Sequence, residues 1–335
     1  MKVQPTVKSH RLLKQMTPNK KSRKFIKNFL ILIFLLYLPN SSLASCQGDT
    51  YLRICNLSGW HTINNQAQQQ NISFTFLSQE LGAASPFSLE IQPEHEGYYR
   101  LYADNGDTVD LSLALSAPHR KYFTFRPGKT YQDIPGSISD FNADLKVKLV
   151  GNRNFTSSSY RGNFQLQAIQ EESGKAEEIN FSIELTIEPT IKILQLDNIF
   201  LSDTGISPGQ DIVGHEDFCV VGNGFSHYAI SLSSSSGIIA GNSGRITTSL
   251  QEEMFMLTGI REELPYMASF SNNAQGRALT NLNASGHIPG IYARTTPEGC
   301  LGDNTRITIR VPSPYWERAT ESKYTDVLTV TVTSQ

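Results

Sequence analysis

Little in this sequence points to a membrane span, a metal centre or a covalent catalyst. Its long apolar run, Phe29–Leu38, is ten residues, too short for a hydrocarbon core that takes about 20. Its four cysteines include no Cys-x-x-Cys, and no histidine stands at ligand spacing from them, which argues against zinc. No serine is expected in a hydrolase nucleophile elbow, since the run Ser233–Ser236 lacks a strand–turn–helix setting. Gly222-Asn223-Gly224 is glycine-rich, but no lysine or helix follows it, so it reads as a hairpin turn rather than a phosphate loop. The histidines beyond the N-terminal segment are scattered, mostly beside turn residues. His215-Glu216-Asp217 sets an imidazole beside two carboxylates; as a strand only His215 and Asp217 would share a face, and a solvated polar loop is expected. Neither an enzyme nor a cofactor follows from these residues.

Basic surface is scarce as well. The formal net charge is −2 and the sequence pI about 6.4, and Lys20, Lys21, Arg23, Lys24 and Lys27 all lie in the first segment. That leaves no basic face for nucleic acid. Those lysines precede Phe29–Leu38, and Pro39-Asn40-Ser41 followed by Ser42-Leu43-Ala44 then supplies a small-residue exit. The order charged, apolar, small is that of a secretory signal, so residues 1–44 are expected to be removed. A start at Met16 would give a signal of ordinary length. Leu43-Ala44-Ser45-Cys46 also fits a lipobox, but lipidation of Cys46 would leave Cys55 an odd thiol. Export through a periplasm to the cell surface is expected.

The remainder exceeds one ordinary core, since domains cluster at about 100–150 residues. We divide it at Glu188-Pro189-Thr190, into 46–189 and 190–335, because proline ends a strand. Cys46, Cys55, Cys219 and Cys300 suit an oxidising compartment. Of their three connectivities, Cys46–Cys55 with Cys219–Cys300 is preferred because each pair stays in one domain.

The dominant period is two. Phe181, Ile183, Leu185 and Ile187 alternate with polar residues, as do Leu328, Val330 and Val332, Ile307, Ile309 and Val311, and Leu145, Val147 and Leu149. These are strands with one face on a core. Turn signals separate them at Asp104-Asn105-Gly106-Asp107, Arg126-Pro127-Gly128 and Gly302-Asp303-Asn304. The fold class is all-β, two Ig-like β-sandwiches. Residues 248–263 admit a helix, although their flanks favour a strand. Tyr160 and Tyr324 each stand four residues ahead of an alternating segment, where a tyrosine can bury its ring and bond its hydroxyl to backbone. Tyr98, Tyr99 and Tyr102, with Tyr122, Phe123 and Phe125, place aromatics on both faces of two strands. They are either a surface-contacting patch or strands buried on both sides.

In the second half, Phe218-Cys219-Val220-Val221-Gly222-Asn223 and Tyr228-Ala229-Ile230-Ser231-Leu232 are followed by Leu264-Pro265-Tyr266-Met267-Ala268-Ser269-Phe270. Cys300-Leu301-Gly302-Asp303-Asn304 and Tyr324-Thr325-Asp326 come last. This pattern resembles pilus subunits related to the spore coat protein U family, the building blocks of archaic chaperone–usher pili. It covers about 190–335, and departs from the family in having no further cysteine pair between Ile191 and Gly214. The resemblance implies an incomplete, donor-strand-accepting sandwich. Its partners would be a periplasmic chaperone, an outer-membrane usher and an adjacent subunit. Phe218, Tyr228, Leu264, Tyr266, Tyr324 and Asp326 are its family positions. With Cys46 next to the expected cleavage point, little chain remains to donate. That implies a tip subunit whose first domain binds an unidentified receptor or surface. A self-contained secreted carbohydrate- or surface-binding protein is the alternative.

Overall fold

The computed structural model describes residues 2–3, 6–7, 46–95, 97–117, 123–151, 154–236, 238–239, 254–273, 280–282, 291–294, 300 and 305–335. The rest of the signal segment, Tyr122 and the turn at 302–304 lie outside these residues. The chain forms two compact units. One contains 13–153 and 159–187; the other contains 188–335 together with 154–158 and 1–12. Both are built from strands, the all-β architecture expected from the alternating segments, and the only helix among the described residues is Ser313–Trp316.

In the first unit the strands are β1 (Leu52–Cys55), β2 (Gly59–Asn64), β3 (Gln69–Glu80), β4 (Phe87–Pro93), β5 (Arg100–Tyr102), β6 (Thr108–Ser116), β7 (Ser137–Val150), β8 (Ser159–Gln170) and β9 (Ala176–Thr186). One layer runs β2-β9-β8-β4 and the other β5-β6-β7-β3-β1. A single pairing, Arg161 with Tyr102, joins β8 to β5. Period-two burial sends Ile179, Phe181, Ile183 and Leu185 of β9 into the core, which Leu89 of the same layer and Phe74, Phe76 and Leu145 of the other also enter. Strand β2 joins β9 in parallel, Trp60 opposite Ser182, while the other pairings are antiparallel. The turn Asp104–Asp107 closes β5 on β6, with Gly106 at φ +84°.

Gly136 leads into β7, where a methyl group would sit against the carbonyl oxygens of Ser85 and Ser78. Both are backbone atoms, so neither can swing away. Gly136→Ala is expected to cost about 2 kcal/mol. Urea unfolding should register that loss, and an unchanged midpoint would show that the backbone opens freely here.

The second unit has β10 (Thr190–Leu194), β11 (Ile212–Asn223), β12 (His227–Ser234), β13 (Met254–Thr258), β14 (Glu263–Ser271), β15 (Thr305–Val311) and β16 (Leu328–Ser334). One layer is β10-β11-β15-β14-β13 and ends on the bridge residues Thr325–Asp326. The other pairs β16 with β12 and then with Tyr292–Ala293. The last strand therefore changes layers at Val327. Between them lie Phe218, Tyr228, Leu257, Tyr266, Ile309 and Val330, all buried.

One local expectation needs correction. His215-Glu216-Asp217 is not a loop but part of β11, where Asp217 takes a two-pronged ion pair from Arg306 at 2.5 and 2.7 Å. The flanking Ile212 and Phe218 reach the core and carry the polar triplet into the sheet. Within 248–263, Met254–Thr258 is a strand, the reading its flanks favour over a helix, with Phe255 and Leu257 fully buried; residues 248–253 lie outside the described ones.

Candidate functional site

Asp326 is the organising group of the second unit. It is a carboxylate 3 % exposed, which demands hydrogen bonds on both oxygens. The Tyr266 hydroxyl donates to Oδ2 at 2.6 Å. Oδ1 accepts from the hydroxyl of Ser236 at 3.0 Å, that of Ser235 at 3.2 Å, the Ser236 N–H at 3.3 Å and its own neighbour's N–H, Val327, at 2.7 Å. Tyr266 comes from β14 in one layer, and the two serines follow β12 in the other. Asp326 thus pins the two layers together at the point where the last strand switches between them. Burial raises the Tyr266 phenol well above its ordinary value, and the adjacent Asp326 carboxylate adds to the effect.

Tyr324, two residues earlier, is buried and its hydroxyl accepts the Glu321 N–H at 3.1 Å. Tyr160 is likewise buried, but donates to the Asp107 carboxylate at 2.7 Å rather than to backbone. Tyr228 is buried and donates to Asn272 Oδ1. Its phenol is raised by burial and then by Tyr292. Phe218 and Leu264 are core residues. Of the six family positions, only Tyr266 and Asp326 bond one another. Ser235 and Ser236 were missed as partners. Their place directly after an alternating strand is one that solvent-facing polar turns share, so no local signal marked them.

Beyond Asp326, β16 is paired along one edge with β12, from Tyr228–Ser334 to Ser234–Leu328. Among the described residues, its other edge pairs only with Thr6–Val7, in parallel, at Thr329 and Val330, although β10 also approaches β16. Lys2–Val3 similarly lies between Asp326 and the strand fragment Ile199–Phe200. A short piece of the expected signal segment thus occupies the gap at the end of the sandwich. Among the described residues, nothing else pairs with that edge of β16. Leu328, Val330 and Val332 line the core behind it.

The cysteines are joined as Cys46–Cys55 and Cys219–Cys300. The aromatic candidates of the first unit do not form one surface. Tyr99 and Phe125 are buried, and Tyr99 donates to the Ile91 carbonyl at 2.9 Å. Burial raises its phenol. Tyr98 is 62 % exposed beneath the Arg100 guanidinium, Tyr102 packs edge-on against His95, and Phe123 stacks on Tyr131 at 4.3 Å.

No nucleophile elbow was expected, yet Gly205-Ile206-Ser207-Pro208-Gly209 carries the Gly-x-Ser-x-Gly spacing. It lies in successive turns closed by Ile206 N–H to Asp203 and Gln210 N–H to Ser207, not between a strand and a helix, so it lacks the geometry of an elbow. Among the described residues no cluster of three His, Cys, Asp or Glu could hold a metal, and no helix is long and apolar enough to cross a membrane.

No family model and no curated protein matches this sequence. Among solved structures, the chain is similar to the CupB6 tip adhesin from Pseudomonas aeruginosa, at 10% identity and a TM-score of 0.35, over 87% of this chain and 98% of that one. It is similar to the CsuC–CsuE chaperone–tip adhesion subunit complex of Acinetobacter baumannii, at 10% identity and 0.35, over 83% and 99%. CfaE, the adhesive subunit of CFA/I fimbria of enterotoxigenic Escherichia coli, gives 12% and 0.30, over 83% and 98%. Likeness at this level does not say what the chain binds.

Proposed function

We propose that this chain is an exported tip adhesin or minor subunit of a chaperone–usher pilus. Its second unit accepts a donated strand, and its first unit contacts a receptor or surface. The observation that carries the reading is the edge of β16. Among the described residues, the only segment paired with it is Thr6–Val7, and the sequence places those residues in a signal that export removes. The mature chain would then present unpaired N–H and C=O groups above an apolar row, an aggregation hazard unless another chain supplies a strand. Strand addition of this kind is an established mode of recognition. The resemblance of residues 218–332 to archaic pilus subunits names the donors: a periplasmic chaperone first, then a neighbouring subunit delivered at an outer-membrane usher. Cys46 is bonded to Cys55, so a chain cut after Ala44 has its new N-terminus tied down and is an acceptor rather than a donor.

The test is periplasmic expression of the whole chain with and without an archaic pilus chaperone. The mature chain is expected to be soluble only as an equimolar complex with the chaperone. If it is instead a soluble monomer that melts cooperatively by itself, the sandwich is complete. The chain is then a self-contained secreted binding protein.

A further inference from the structure

The outer face of the β2-β9-β8-β4 layer holds a groove of about 460 Å³, floored by β8 and β9 and walled by Pro93 and Glu94 at the end of β4. Register fixes what it presents. Gln165 lies opposite Asn180 on one side and Gln92 on the other, and Asn163 lies opposite Ser182. Alternation turns Phe164 and Phe181 into the core and these polar side chains outward. Three amides thus stand abreast at the strand spacing of about 4.8 Å. Their orientation is set from within the face. Asn163 Nδ2 donates to Glu94 at 3.0 Å, the Ser182 hydroxyl donates to Asn163 Oδ1 at 2.7 Å, and Gln165 Nε2 donates to Glu178 at 3.3 Å.

Beside Ser182, on edge strand β2, Trp60 is 61 % exposed. The Arg161 guanidinium lies 6.0 Å from its ring and is held by Glu184, whose carboxyl that hydrogen bond, with a second from Ser159, lowers below the usual range. The exposed indole leaves most of its ring open to a ligand. Amides offer a donor and an acceptor in one plane, as a hydroxyl does, and a flat indole fits the C–H face of a pyranose ring. Of the charges on this face, Glu90, Glu94 and Glu178 accept from the neutral side chains of Gln92, Thr130, Asn163, Gln165 and Gln167, while Arg161 is committed to Glu184. The face therefore repels anions.

We infer that this groove binds a neutral oligosaccharide, with Trp60 stacking on one ring and Asn163, Gln165, Asn180 and Gln92 reading the hydroxyls of the next. The assignment rests on reading the first unit as the binding part of the chain. The test uses the mature chain purified with its chaperone, or alone if it proves self-sufficient, on an array of immobilised neutral, sialylated and sulfated oligosaccharides. Hits are titrated against a Trp316→Phe background, in which Trp60 is the sole indole. Neutral oligosaccharides are expected to bind and shift the Trp60 emission. Trp60→Ala and Asn180→Ala should each weaken binding at least tenfold, while the melting temperature stays at the parent value. Silence across the neutral array, preference for the acidic sugars, or binding untouched by both substitutions overturns the assignment. Dependence on the chaperone is read separately, so a failed pilus reading and a failed glycan reading give different results.

Discussion

Replacing Asp326 by alanine is expected to cost the second unit about 3 kcal/mol. The carboxylate is buried and accepts from Tyr266, Ser235, Ser236 and Val327. Removing it strands the Tyr266 hydroxyl in the core, where water cannot reach, and releases the start of β16 from the opposite layer. Asp326→Asn should fall between parent and alanine. An amide keeps the shape and one acceptor, but turns N–H groups toward some of the donors. Tyr266→Phe alone leaves the carboxylate with its serine and backbone partners and should be the mildest of the three. Because the two groups touch, the double variant Tyr266→Phe/Asp326→Ala should lose less than the sum of the singles, by about 1 kcal/mol or more. Urea unfolding checks this, with the same strand filling the β16 edge in parent and variants. Additive losses would mean that Tyr266 and Asp326 do not act as a pair.

The second large effect is at the disulfides. Cys219 and Cys300 are 81 positions apart, and Cys46 and Cys55 only nine. If a cross-link acts by restricting the unfolded chain, its contribution grows with the loop it closes. Cys219→Ala/Cys300→Ala should then cost about 4 kcal/mol and Cys46→Ala/Cys55→Ala about 2.5 kcal/mol. Cys219 is buried on β11 in the core, so part of the first figure will come from lost packing. Unfolding of the two double variants and of the reduced parent separates these contributions. A larger loss from the short loop would reverse the ordering and show that the Cys46–Cys55 link acts on the folded state.

How far the sequence foretold this arrangement depended on the range of the interaction. Alternation in Phe181–Ile187 and Leu328–Val332 was enough to place β9 and β16, because one strand's pattern already records which face is wet. Met254–Leu257 was ambiguous, since a short wholly apolar run has no period to read. The side-chain partners of Asp326 lie 60 to 91 positions away. Nothing local to Ser233–Ser236 distinguishes a cap on the other layer from a solvent-facing polar run. The aromatic candidates show the converse problem: Tyr98 and Tyr99 are neighbours with equal side chains, yet the bend leading into β5 leaves one exposed and the other buried. Trp60 drew no notice, because only the joining of β2 to β9 reveals that it stands beside a row of amides.

That joining also sets a timetable. The Thr186 hydroxyl donates to the Ile63 carbonyl 123 positions earlier, and among the described residues β2 pairs with no strand but β9. A chain threaded through a translocation channel from its N-terminus delivers Gly59–Asn64 long before Ala176–Thr186 emerges. Non-local pairing of this kind folds slowly, because the loop must close before the contacts reward it. If the chain is exported in this way, the first unit waits, with strand edges open, until almost all of it has crossed, and it does so before residues 188–335 have appeared.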